Sequence, residues 1–111
     1  MDIKALLQEA GYPLKAIQQT KFIKPPAYDY AVWHDEQTYT GGDGFIRLVE
    51  HKYTIELYSR SQKREMEANV SRLLCLADFE FKKSEQIWLE DEQIYFVQYQ
   101  FRQKEKVRFE Q

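Results

Sequence analysis

The stretch VEHKYTIELYS, Val49 to Ser59, decides the fold because its side chains alternate strictly in character. Apolar side chains and one histidine occupy every second position, and charged or polar side chains occupy the positions between them. Successive side chains of a β-strand point to opposite faces, so this pattern is typical of an antiparallel strand with one buried face. The face expected to be buried consists of Val49, His51, Tyr53, Ile55 and Leu57.

Further strands are predicted on both sides of this central strand. The alternation in YDYAVW (28–33) predicts a strand before it, led in by Pro25 and Pro26, which cannot donate to a ladder. After it, Phe79 to Lys82 and Ile87 to Leu89 are interpreted as strand segments. The acidic turn EDEQ (90–93) then leads into a returning strand, IYFVQYQF. The chain therefore closes with a predicted hairpin.

Two helices are predicted from apolar residues that recur every three or four positions. The first covers 3–10, with Asp2 as its cap and Gly11 as its stop. The second covers 61–77, with Ser59 or Ser61 as its cap. The apolar stripe of this second helix consists of Met66, Val70, Leu73, Leu74 and Ala77.

These elements predict an α+β fold in which two helices pack on one face of an antiparallel sheet. The predicted order is α-β-β-α-β-β, with a long glycine-rich hairpin loop joining the first two strands. The 111 residues are expected to form a single domain. Residues 103–111 are strongly charged, and we expect them to fray.

Composition excludes several classes of function. The formal net charge is −2, whereas a dedicated nucleic-acid binder usually presents a basic face, so no nucleic-acid partner is expected. No apolar run approaches the roughly 20 residues that span a bilayer, and the N-terminus lacks the pattern of a signal peptide. We therefore expect a soluble, cytoplasmic chain without a membrane partner.

The segment TYTGGDGFIR (38–47) concentrates three of the four glycines around one aspartate. A phosphate-binding loop is not favoured, because a Walker loop ends in Gly-Lys-Ser/Thr and a dinucleotide fingerprint is followed by a helix. The connection from about His34 to Gly44 exceeds an ordinary hairpin loop, and long loops are often functional. We predict a mobile loop that gains order against a partner. The candidate interface residues are His34, Thr38, Tyr39, Gly41, Gly42, Asp43 and Gly44.

No constellation typical of an enzyme is found, so no catalytic, metal-binding or cofactor-binding residue is predicted. His34, Asp35 and Glu36 are adjacent, but neighbouring side chains on an extended chain diverge and seldom share one ion. His51 is interpreted as a structurally satisfied sheet histidine. The single cysteine, Cys75, lies among leucines, and we expect it to be buried and inert.

Three segments together resemble small structural proteins of tailed phages and prophages of Gram-positive bacteria. They are FIKPPAYDYAVW (22–33), HKYTIELYSRSQKREMEANVSRLL (51–74) and EDEQIYFVQYQF (90–101), with the glycine loop between the first two. The family comprises head–tail joining, tail-completion and tail-terminator proteins related in fold to the minor tail protein U of phage lambda.

The resemblance implies an α+β subunit that is monomeric or weakly associated by itself. It also implies assembly into a hexameric ring at the end of the tail tube, where the ring contacts the head connector. The protein would then be found in the host cytoplasm during assembly and afterwards at the head–tail junction of the virion. The resemblance does not distinguish a tail terminator from a tail-completion protein or another head–tail joining protein.

An alternative is a small regulatory or interaction protein outside the virion, such as a toxin-type ribonuclease or an inhibitor. A compact α+β domain also serves that class. A ribonuclease of this size is expected to be basic, however, whereas this chain is slightly acidic.

Overall fold

The computed structural model describes residues 1–41, 44, 46–62 and 64–109. They form an α+β fold with two α-helices and a six-stranded sheet, which confirms the predicted fold class. In chain order the elements are α1 (Ile3–Ala10), one turn of 3-10 helix (Leu14–Ala16), β1 (Ile17–Gln19), β2 (Tyr30–Thr40), β3 (Ile46–Ser59), α2 (Glu65–Leu76), β4 (Phe81–Lys83), β5 (Ile87–Leu89) and β6 (Ile94–Arg108).

The sheet is built around its two longest strands, β3 and β6. The strand order is β1-β2-β3-β6-β4, and β5 also pairs with β6. Neighbouring strands are antiparallel except β1, which runs parallel to β2. Ile55 pairs with Tyr99 and Tyr53 with Phe101, so these four buried side chains lie on one face. The stretch that begins at Val49 is therefore the central strand, as its alternation predicts.

The observed order differs from the predicted one by the short strands. Residues 12–27, which lie between the first predicted helix and the first predicted strand, contain the 3-10 turn and β1. Only Ile17 is buried in this three-residue strand, so the sequence offers no alternation to detect. With β4 and β5 as separate strands, the order is α-β-β-β-α-β-β-β rather than α-β-β-α-β-β.

Helix α1 begins and ends where its sequence signals lie. The Asp2 carboxylate accepts a hydrogen bond from the Ala5 backbone N–H at 3.0 Å, which satisfies one of the free donors of the first turn. The helix ends at Gly11, whose φ of 124° disfavours any other residue. A Cβ atom at Gly11 would also lie 3.0 Å from Cε of Met66. Glycine is therefore favoured at this position by its conformation, and a Cβ atom would also require the flexible end of Met66 to shift.

Helix α2 is shorter than the predicted helix over 61–77, and neither serine caps it. It covers Glu65–Leu76, and its N-cap residue, Arg64, makes no side-chain capping hydrogen bond. Ser59 is the last residue of β3, and its hydroxyl lies 3.1 Å from a carboxylate oxygen of Asp29. This hydroxyl is therefore tied to the preceding strand and does not reach the helix.

The apolar stripe of α2 packs on the sheet beside α1. Val70, Leu73 and Leu74 are buried in the main core together with the apolar face of α1. The Tyr99 hydroxyl of β6 donates to the Glu67 carbonyl oxygen at 2.8 Å, and burial raises the pKa of Tyr99 to about 12. Asn69 of α2 donates to the Ala10 carbonyl oxygen at 2.8 Å. These bonds fix the two helices to each other and to the sheet.

The prediction that Cys75 is buried is wrong, because its side chain is exposed. Each helical residue is rotated by about 100° from the one before it. Leu73 and Leu74 are both buried, so the middle of the packed face lies between them. Cys75 is one rotation further round the helix and points away from the sheet. Leucine neighbours in sequence therefore do not imply a buried neighbourhood on a helix.

Candidate assembly interface

Three strands continue beyond the helix-covered core and form what we call the arm. The arm consists of residues 34–40 of β2, 46–54 of β3 and 102–108 of β6. Its register is continuous, with Glu36 opposite Lys52 and Lys52 opposite Arg102. The arm explains why the molecule measures 50 × 30 × 23 Å. A 15-residue strand such as β6, at about 3.3 Å per residue, spans most of the long dimension.

The arm corrects two predictions. The loop expected from His34 to Gly44 is strand as far as Thr40, because residues 34–40 pair with β3. The tail expected to fray from residue 103 is likewise strand as far as Arg108, paired with the other edge of β3. Backbone pairing with β3 orders both polar segments although neither has a strong apolar pattern.

The candidate interface residues are distributed along β2 and the connection that follows it. His34 is half-buried, with Nε2 lying 3.0 Å from Oε1 of Glu56. Thr38, Tyr39 and Gly41 are exposed, and Gly44 is exposed with a φ of 63°. Gly42 and Asp43 lie outside the described residues. The interface role of this set stays a prediction.

One side-chain cluster connects all three strands of the arm. Nδ1 of His51 lies 2.8 Å from Oδ1 of Asp35 on β2, and its Nε2 lies 2.6 Å from Oε1 of Glu105 on β6. A neutral imidazole carries one N–H, so donating both bonds requires the imidazolium ion. The His51 ring also stacks on Tyr53, with ring centroids 5.3 Å apart. The cluster confirms the interpretation of His51 as a satisfied sheet histidine.

The protonation of His51 is set by opposing effects. Burial favours the neutral ring and by itself lowers the pKa of His51. The hydrogen bonds to Glu105 and Asp35, together with the charges of these carboxylates, outweigh burial and raise the pKa above its ordinary value. The imidazolium therefore cross-links β2, β3 and β6, which is a structural role.

The outer strand formed by β6 is strongly basic. Its residues 102–108 carry four cationic side chains at every second position, all exposed and all on one face: Arg102, Lys104, Lys106 and Arg108. Arg102 forms an ion pair with Glu50 of β3. Within the described residues no ion pair involves Lys104, Lys106 or Arg108.

The outer strand formed by β2 has the opposite character. Residues 34–40 include Asp35 and Glu36 and no lysine or arginine. Asp35 is engaged by His51, whereas Glu36 is exposed. The two sides of the arm therefore differ in the sign of their charge.

Both sides of the arm are open strand edges in the part of the chain that the structure describes. β1 pairs with β2 only at residues 31–33, so the outer side of 34–40 has no strand beside it. β4 pairs with β6 at residues 99–101 and β5 at residues 94–96, so the outer side of 102–108 is also open. An open edge presents unpaired N–H and C=O groups that can accept a further strand.

A cavity of about 140 Å³ lies between α2 and the sheet, lined in part by Tyr12, Met66 and Tyr95. Its buried carboxylate, Glu67, pairs with Lys83 at 3.0 Å and accepts a hydrogen bond from Gln86 at 3.1 Å. Among the described residues no group of three or more His, Cys, Asp or Glu side chains is arranged to hold a metal ion. No described helix is long and apolar enough to cross a membrane.

Sequence reasoning missed the partners of His51 and the two charged edges. Asp35 and Glu105 lie 16 and 54 residues from His51 in the chain, and only the strand register brings them together. The alternating cations of β6 are visible in the sequence as RQKEKVR, and a strand interpretation of this segment would have placed them on one face.

Comparisons with known proteins give a likeness of fold. No protein-family model and no curated protein matches the sequence. Among solved structures, the chain is similar to one described as "Virion of native gene transfer agent (GTA) particle", with a TM-score of 0.55 and 12% sequence identity. The match covers 94% of this chain and 84% of that chain. At this identity the likeness shows that the two chains share a fold over almost the whole of the present one.

Proposed function

We propose that this chain is a structural phage or prophage protein that acts at the head–tail junction. Several copies form a ring, a hexamer when assembled, that completes or terminates the tail tube and contacts the head connector. Its partners are other copies of itself, tail-tube proteins and connector proteins. It works by protein–protein contact, without catalysis, cofactor or nucleic-acid binding. It resides in the host cytoplasm during assembly and in the virion afterwards.

The observation that carries this proposal is the fold likeness to a chain of a phage-like virion particle. The likeness extends over 94% of the chain, so it concerns the arrangement of the whole subunit rather than one common motif. The resemblance of segments 22–33, 51–74 and 90–101 to head–tail proteins also points to a phage structural protein. One line of support compares the fold and the other compares sequence segments.

The chemistry of the surface supports contact rather than catalysis. Glu67, the buried carboxylate of the cavity beside α2, is paired with Lys83 and accepts a hydrogen bond from Gln86, which is a structural arrangement. The arm, in contrast, offers two open edges and the exposed aromatic side chain of Tyr39, and exposed Phe109 follows directly after it. Aromatic residues next to polar groups are common in protein–protein interfaces.

The proposal can be tested with purified tail tubes from a phage that encodes this chain. Tubes assembled without the protein are mixed with it and examined by electron microscopy. We expect an additional ring of density at one end of each tube, and we expect the gene deletion to yield tails of abnormal length or tails that do not join heads. Normal particles from the deletion strain, or binding along the tube wall instead of at its end, would contradict the proposal.

A further inference from the structure

The arm has two open edges of opposite charge, and this difference selects how copies of the chain can meet. Residues 34–40 carry two carboxylates and no lysine or arginine, which gives a formal charge of −2 with His34 neutral. Residues 102–108 carry four cations and one carboxylate, which gives +3. The contrast remains when internal pairs are set aside, since Glu36 is left on one edge and Lys104, Lys106 and Arg108 on the other.

Two-fold contacts between copies would place like charges side by side. Pairing β6 with β6 of a second copy brings two basic strands together, and pairing β2 with β2 brings two acidic strands together. Like charges on directly opposed strands are destabilising. Only a contact between β2 of one copy and β6 of the next joins unlike charges. Such a contact is head-to-tail, and it leaves an open edge at each end for further copies.

Strand direction fits this arrangement. β2 and β6 are both antiparallel to β3, so they run in the same direction within one subunit. Copies related by a rotation about an axis along the strands therefore bring β2 and β6 together as parallel neighbours. Parallel strands form regular ladders of evenly spaced hydrogen bonds. The addition needs no rearrangement of the subunit, because both edges are already extended.

We propose that copies of this chain associate by adding residues 34–40 of β2 to the open edge of residues 102–108 of β6 on the next copy. The occupant of each edge is thus a second copy, and the sheet continues from subunit to subunit. The side chains that select this contact are Glu36 on one edge and Lys104, Lys106 and Arg108 on the other. This inference deepens the proposed ring and rests on the premise that the chain self-associates.

A charge-exchange experiment tests the contact. Variant A carries Glu36→Lys with Thr38→Lys, which makes its β2 edge positive like its β6 edge. Variant B carries Lys104→Glu with Lys106→Glu, which makes its β6 edge negative like its β2 edge. All four residues are exposed, so both variants should fold and retain the circular dichroism spectrum of the original chain. A modest fall in thermal midpoint is expected, because Glu36→Lys faces Lys52 and Lys104→Glu faces Glu50. A matched control, Lys21→Glu with Arg72→Glu, makes the same charge change as variant B at exposed positions outside the arm.

Assembly is followed by sedimentation velocity over a concentration series and by electron microscopy at tail-tube ends. We expect variants A and B alone to lose the rings that the original chain and the control form. We expect an equimolar mixture of A and B to recover them, because each β2 edge then meets a β6 edge of opposite charge.

The other outcomes overturn the inference in distinguishable ways. Rings formed by A or by B alone would show that subunits meet elsewhere, while the proposed function would stand. A mixture of A and B that stops at dimers would indicate a two-fold contact. A mixture of folded variants that stays monomeric would show that the charged edges are not the contact between copies. An original chain that forms no ring, in solution or on tube ends, would overturn both the inference and the proposed ring.

Discussion

His51 shows how one residue can give the arm a stability that depends on pH. Its pKa in the folded protein is raised above the ordinary value, so its stabilising contribution is complete below the unfolded pKa of about 6.5. That contribution is lost as the pH rises through the folded pKa, because the neutral ring keeps only one N–H to donate. We expect the urea midpoint of the protein to fall as the pH rises above about 6.5.

Two variants show which histidine causes the pH dependence of stability. His51→Gln should be less stable than the original chain at the lower pH values and should lose most of the pH dependence. His34→Gln changes the other histidine, which contacts Glu56 alone, and should retain the dependence. Equal pH dependence in the original chain and in His51→Gln would show that the cluster with Asp35 and Glu105 does not set the stability of the arm.

Cys75 provides a second prediction for a single residue. Its side chain is exposed on α2, so the thiol is accessible without unfolding. We expect a thiol reagent such as dithiobis-nitrobenzoate to label the native protein at a rate close to that in denaturant. Labelling that is much slower in the native protein would place Cys75 in the core and would contradict the observed orientation of α2.

At the scale of elements, α2 is expected to contribute a large share of the core energy. Leu74 is fully buried, and Leu74→Ala should lower the free energy of unfolding by about 2–5 kcal/mol, measured by denaturant titration. Leu76 is 72% exposed on the same helix, so Leu76→Ala provides a matched control with little expected change. Similar losses for both variants would mean that the helix packs through a different face.

The elements that were predictable from the sequence are those with a buried face. The alternation of β3 and the apolar stripe of α2 both follow from packing against the core. The β3 prediction is confirmed, and the α2 stripe is confirmed for Met66, Val70, Leu73 and Leu74 but not for Ala77, which is exposed and lies beyond the end of the helix. Residues 34–40 and 102–108 are strands because β3 offers them hydrogen bonds, and both of their faces are largely polar. Hydrophobic periodicity cannot reveal such strands, and so the sequence predicts a loop that includes residues 34–40 and a frayed tail that begins at residue 103.

At the scale of the whole molecule, the two sides of the subunit are not equivalent. A compact body of two helices and sheet carries an arm with an acidic and a basic side, so its two lateral surfaces are different. A subunit with two different complementary surfaces is suited to a closed ring or an open filament, depending on the rotation between copies.

The alternating cations of β6 are expected to affect whether the free chain aggregates. A free strand edge is a template for amyloid-like stacking, and lysines on such an edge discourage it. Lys104→Thr with Lys106→Thr removes both charges and introduces residues that favour strands. We expect this variant to become turbid and to bind thioflavin at concentrations where the original chain and a Lys21→Thr with Arg72→Thr control stay clear. A clear solution of the variant would contradict this expectation. Aggregation of the variant, in contrast, would show that the basic edge keeps the free chain soluble until another strand pairs with it.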